Sequence, residues 1–179
     1  WCNLPADDIT RPANEACKRG HKAIDLNPNN LMIKLDYWFF RALNGDWETA
    51  IAELDKAGRS SIVSFRHIEK AKAINAYRVG SFETALDLFA QAYSPLDLLA
   101  NLHILMCLGQ LGRTRQASTK IRQLKSLRPG LSLNQVARLL SRNYQPALAR
   151  HCLEGLQRAG FDRKACDAPE LQSFAQMAS

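Results

Sequence analysis

Apolar residues recur along most of this chain at the i, i+4, i+7 spacing that puts side chains on one face of an α-helix. Ala50, Leu54 and Ala57 show the pattern, and Ala85, Phe89 and Ala92 repeat it. Ala117, Ile121 and Leu124 take the same places, as do Ala16, Gly20 and Ala23 near the start. The four leading alanines stand 34, 35 and 32 residues apart, a period that signals stacked supersecondary units. Three of them follow a glycine by five residues, at Gly45, Gly80 and Gly112. Pro28 and Pro129 follow Ala16 and Ala117 by twelve. The local echo is closest between Gly45-Asp46-Trp47-Glu48-Thr49-Ala50 and Gly80-Ser81-Phe82-Glu83-Thr84-Ala85.

The spacing has a physical cause. Alanine on the shared face lets a neighbouring helix approach, and Leu54 or Phe89 fills the gap beside it. The glycine belongs in the turn between two antiparallel helices, and the proline stops the second one. Each unit is an αα-hairpin that cannot bury its face alone and must stack on the next. The pattern predicts an all-α chain, with helices over about 12–26, 31–43, 46–57, 65–79, 81–93, 94–111, 114–127, 132–142 and 146–160. Residues 1–10 read as irregular. Asn27-Pro28-Asn29-Asn30 reads as a turn, Ser94-Pro95 as the N-cap and first turn of the sixth helix, and Ser132 with Gln135 as a capping box. The 31–43 helix is apolar nearly all round, which predicts burial on more than one side. Residues 1–130 form the array, its first repeat incomplete. Residues 131–179 form a helical cap and tail, of which 162–179 are expected to fray.

These residues resemble the tetratricopeptide repeat: a glycine, an aromatic two residues on, then alanine, a large apolar residue, alanine and proline. The likeness spans about residues 11–129. Trp38, Thr114 and Gly58-Arg59-Ser60-Ser61 depart from the pattern. The resemblance implies a right-handed superhelical array of antiparallel hairpins. It also implies a partner groove along the first helix of each repeat, lined by Met32, Leu35, Phe39, His67, Lys70, Ile74, Arg78, Leu99, Leu102 and Met106. Such a groove, basic in the middle and apolar at its ends, suits an amphipathic or extended peptide carrying an acidic residue. Lys70 and Arg78 would fix its register. The other reading of the apolar positions is that the chain's own tail, or a second copy in a homodimer, packs them. The segments Arg128-Pro129-Gly130-Leu131-Ser132-Leu133, then Pro146 and Leu153-Glu154-Gly155-Leu156 with Ala159-Gly160-Phe161, are similar to the C-terminal repeat regions of bacterial class III adenylate cyclases and winged-helix transcriptional regulators. That likeness implies the C-terminal regulatory part of a bacterial signalling protein. The alternative is a stand-alone chaperone of the type III secretion kind. Because the first recognisable element after Trp1 is the second helix of a repeat, the chain is expected to be part of a longer protein.

Charge changes the picture more than composition does. The hydrophobic fraction of 46% over 179 residues is ordinary for a globular chain. From Leu98 to Leu153 there is no Asp or Glu, while nine cations stand in the same window. They include Arg113, Arg115, Arg122, Arg128, Arg138 and Arg142, with Lys120, Lys125 and Arg150. The whole chain carries +7, so the remainder nets −2. A one-sided basic surface attracts anionic partners. Nucleic acid is disfavoured, because Tyr144 is the one aromatic among these arginines and no recognition motif is present; a solvated face is the plainer reading. The five cysteines, Cys2, Cys17, Cys107, Cys152 and Cys166, are odd in number with no Cys-x-x-Cys pair, which favours a reducing, cytoplasmic setting. The apolar-rich stretch Leu96 to Leu111 is broken by Asp97, Asn101, His103 and Gln110, so no membrane span is expected.

Candidate chemistry is thin. His103 and Cys107 are spaced i, i+4, and His151 abuts Cys152. Neither pair brings the third group that a dyad or metal site needs. Asp7-Asp8 and Glu53-Asp55 read as surface carboxylates. No catalytic residue, metal ligand set or cofactor is expected. The sequence reads as a protein–protein interaction or self-association module.

Overall fold

The computed structural model describes residues 11–58, 65–92 and 97–161. Among these every regular element is an α-helix. In order they are α1 (Arg11–Leu26), α2 (Leu31–Leu43), α3 (Trp47–Gly58), α4 (Phe65–Arg78), α5 (Phe82–Ala92), α6 (Leu98–Gln110), α7 (Thr114–Leu127), α8 (Leu133–Asn143) and α9 (Pro146–Arg158). The irregular start, the linker beyond Gly58, Ser94-Pro95 and the tail from 162 lie outside the described residues.

The turns explain the repeat. Gly80 has a positive φ of +85° and Gly112 one of +68°, a region that a side chain on Cα disfavours. There the chain closes each helix with two reversed hydrogen bonds. Gly80 N donates to Tyr77 O at 3.1 Å and Ser81 N to Ala76 O at 2.8 Å; Gly112 N donates to Gly109 O at 3.2 Å and Arg113 N to Leu108 O at 2.9 Å. This is the Schellman ending, which satisfies orphan carbonyls and redirects the chain. Gly45 and Gly160 end α2 and α9 with the same bonds. Among the described residues one glycine-dependent turn therefore occurs four times.

Caps set the other ends. Asn30 accepts from Ile33 N, and Ser132 forms the expected capping box with Gln135. The sixth helix differs from expectation. It starts at Leu98, with Asp97 accepting from Leu99 N and Ala100 N. A carboxylate there satisfies two orphan donors and suits the positive end of the helix.

Successive helices pack on one another from α1 through α7, and α2 also packs on α4. Ala50, Ala85 and Ala117 are fully buried, as are Leu54 and Phe89, so the small-residue face is where the helices meet. Trp38 stays half-buried, edge-on to Tyr37 with 5.0 Å between ring centroids. Tyr37 in turn lies where a Cβ on Gly20 would sit 3.0 Å from it.

The order changes at the end. α8 packs on α9, and α9 packs back on α6. The crossing is close: a Cβ on Gly109 would overlap Gly155 O and lie 2.7 Å from Ala159 N. A Cβ on Gly155 would lie 2.9 Å from Met106 O. Two glycines, one per helix, let the backbones touch.

Candidate functional site

The expected groove runs over α2, α4 and α6, and the structure places α9 across the C-terminal ends of these three helices. Gln145, at the N-cap of α9, donates to Asn44 O at the end of α2. Tyr77, in the last turn of α4, donates its hydroxyl to His151 O at 3.1 Å. Arg158 donates to Gln110 Oε1, at the end of α6, at 2.8 Å. Gln110 Nε2 lies 3.3 Å from the Tyr77 hydroxyl and 3.4 Å from His151 O. Asn44, Tyr77 and Gln110 follow one another at intervals of 33 residues and stand one, three and two positions before the turn glycines Gly45, Gly80 and Gly112. The His151 ring packs on Tyr77 and Phe82, with centroids at 5.0 and 5.8 Å.

Ten residues were expected to line an open groove. Leu35, Phe39, Ile74, Leu102 and Met106 are instead buried in the common core. Met106 is covered by α9 at Gly155. Those five cannot meet a partner while the helices stand as they do. The reason is physical: large apolar side chains left along a groove would expose a wide patch to water, and packing within the chain buries these five. Lys70 and Leu99 are half-buried, Met32 and Arg78 are exposed, and the His67 side chain lies outside the described ones. Lys70 Nζ sits over the Phe39 ring, 5.5 Å from its centroid; burial lowers its pKa, and Asp97 pulls the other way. Arg78 lies over Trp47 at 5.4 Å. Both cations therefore rest on aromatic faces.

Among the described residues a polar cluster forms in the interior around His103. His103 stacks on Phe89, centroids 4.5 Å apart and rings 2° from parallel. Its Nε2 lies 2.5 Å from the hydroxyl of Tyr144, the C-cap of α8. Burial, with Lys70 nearby, pushes the His103 pKa down to about 3. The histidine is thus a neutral partner for Tyr144. Cys107, one turn on, is buried and pushed up to about 12 by desolvation. Cys152 is raised for the same reason. Both are free thiols held in their un-ionised form, poor nucleophiles. Cys17 accepts from Asn44 Nδ2 at 3.2 Å.

Sequence reasoning missed Tyr144 and Gln145. Tyr144 stood out only as an aromatic among arginines, yet it is a buried strut between α8 and α6. Its chemistry came from a partner 41 positions away, which helix periodicity does not reveal.

The basic residues divide. Arg113 pairs with Glu83 at 2.7 Å, and Lys120 donates to Asn101 Oδ1 at 3.1 Å. Arg115, Arg122, Lys125, Arg128, Arg138 and Arg142 are exposed. None of these six is ion-paired to a described carboxylate. On α7 the buried seam is Ala117 and Leu124, flanked by Ile121. Arg115 and Arg122, seven apart, project from the opposite side. Thr119 stands between them, accepting from Arg122 Nη2 at 3.3 Å. The crest of α7 is a row of guanidinium and hydroxyl groups.

Among the described residues no helix is long and apolar enough to cross a membrane. Compared with family models, curated proteins and solved structures, the chain shows no match.

Proposed function

We propose that this chain is a protein–protein interaction module that offers the basic outer face of α7, with the cations around α8, to an acidic partner. One observation carries the reading: Arg115, Arg122, Lys125, Arg128, Arg138 and Arg142 are all exposed in a stretch without a carboxylate. Arginine forks bind carboxylates in a bidentate manner, and an uncompensated basic surface speeds encounter with acidic ones. The groove expected along α2, α4 and α6 is not the docking place in this reading, because α9 occupies its end. A secretion-chaperone role would require α9 to leave first, which favours the outer face over the chaperone alternative. The likeness of the tail to bacterial regulatory endings supports placing such a module in a signalling or transcription-regulatory protein, with a tetratricopeptide-like array as its frame.

The test is titration of the whole chain with polyglutamate peptide and, separately, with duplex DNA at low salt. Saturable peptide binding that disappears in Arg115→Glu/Arg122→Glu, with circular dichroism unchanged, is the expected outcome. Undiminished binding by that variant moves the site elsewhere. Binding confined to DNA, with a steep salt dependence, replaces the proposed partner.

A further inference from the structure

The array joins the last two described helices, α8 and α9, through a short connector. α8 and α9 form a hairpin that docks chiefly through one helix, α9 on α6. The connector from Arg128 to Ser132 leaves its backbone largely in water: Arg128, Pro129, Gly130 and Ser132 are exposed, and Leu131 is half-buried. Arg128 and Ser132 have non-helical backbones, with φ/ψ of −142°/79° and −109°/158°. One turn hydrogen bond, Leu131 N to Arg128 O at 3.0 Å, folds the connector back. A Cβ on Gly130 would meet nothing within 4 Å.

The seat of α9 is specific. It combines the glycine crossing at Gly109 and Gly155 with polar fastenings at Asn44, Tyr77 and Gln110. Tyr144 adds its bond to His103. Every one of these contacts joins the arm 133–161 to the array 11–127, and none depends on both belonging to the same molecule. A second chain opened at the connector presents the same helix to the same seat.

We propose that the α8–α9 hairpin is an exchangeable arm, and that the seat on α6 takes α9 from a second copy of this chain to form a reciprocal dimer. The occupant is fixed by what already fills the site. Gly155 is required for contact with Met106 O, Arg158 for Gln110, and Gln145 for Asn44. The helix in this chain that offers those groups at that spacing is α9. Exchange keeps the contacts of α9 with its seat and costs the connector turn with the packing of Leu131 against the core, the ordinary route by which swapped dimers form. The inference is independent of the basic face, which either form displays.

Trapping across the seat tests it. Gln110→Cys and Arg158→Cys are placed in a chain whose Cys2, Cys17 and Cys166 are replaced by serine. The protein is refolded at low and high concentration, oxidised, and analysed by light scattering and non-reducing electrophoresis. Dilute refolding should give monomer with the disulfide inside one chain. Concentrated refolding should give a dimer whose 110–158 disulfide joins two chains. No dimer at any concentration overturns the proposal, and so does a dimer whose disulfide stays within each chain. Deleting Pro129 and Gly130 in the otherwise natural chain supplies a second test. A shortened connector should raise the dimer fraction several-fold at fixed concentration, and an unchanged monomer counts against exchange.

Discussion

A single methyl group at position 109 is expected to disturb two helices at once. A Cβ there would overlap Gly155 O and crowd Ala159, and neither is the movable end of a side chain. Gly109→Ala should cost about 1–3 kcal/mol, as overpacking does, and should loosen α9. Thermal melting compared with Gly80→Ala separates the causes. A Cβ at Gly80 meets nothing within 4 Å but sits at positive φ, so its cost of roughly 1–2 kcal/mol is backbone strain. Near-UV spectra should change more in Gly109→Ala than in Gly80→Ala, because Tyr144 is tied to α6 at the crossing and is remote from Gly80; equal spectra would contradict the crowded crossing. The buried imidazole gives a pH signature. His103 holds its pKa near 3 when folded, against about 6.5 when unfolded. The unfolded chain therefore binds a proton that the folded chain refuses. This contribution is complete above pH 6.5 and is lost as pH falls towards 3. Denaturation midpoints at pH 7 and pH 4 should differ less in His103→Gln than in the natural chain, and identical differences would remove His103 from the account.

At the scale of elements, much was legible because the same local physics recurs. Glycine five residues before a buried alanine marks a Schellman turn, and Ala50 and Ala85 lie at the helix contacts that their spacing implied. Substituting leucine at either should lower stability by about 1–3 kcal/mol, read as a drop in melting temperature. The start of α6 was less legible, since serine before proline and aspartate before leucine are both good openings. The structure uses Asp97. Asp97→Ala should cost about 0.5–2 kcal/mol by urea denaturation, and no change would mean that the cap is idle. Five of the ten expected groove residues are buried, and the pattern could not show it for a related reason. Periodicity tells which side of α6 is apolar but not which helix covers it. Met106 looks the same in the pattern whether a partner or α9 lies over it. Surface charge was the more transparent signal, because a run without carboxylates stays basic however its helices are arranged.

For the whole molecule, the ties at Asn44, Tyr77 and Gln110 join residues as far apart as 101 positions. Arrays whose units touch only neighbours unfold piecemeal, whereas long-range ties couple distant units and slow folding. Urea curves followed by tryptophan fluorescence in a chain carrying Trp1→Phe, which leaves Trp38 and Trp47 as reporters, and by far-ultraviolet circular dichroism should therefore coincide. They should separate once Gly109→Ala loosens α9, and coincidence in both proteins would show that the coupling lies elsewhere. The same crossbar has a mechanical meaning. A stack of hairpins bends like a spring, each unit leaning on the next. A rigid rod fastened to three successive units along one edge makes that edge inextensible. Bending must then be taken up away from that edge, so α9 acts on the stack as a stay acts on a mast.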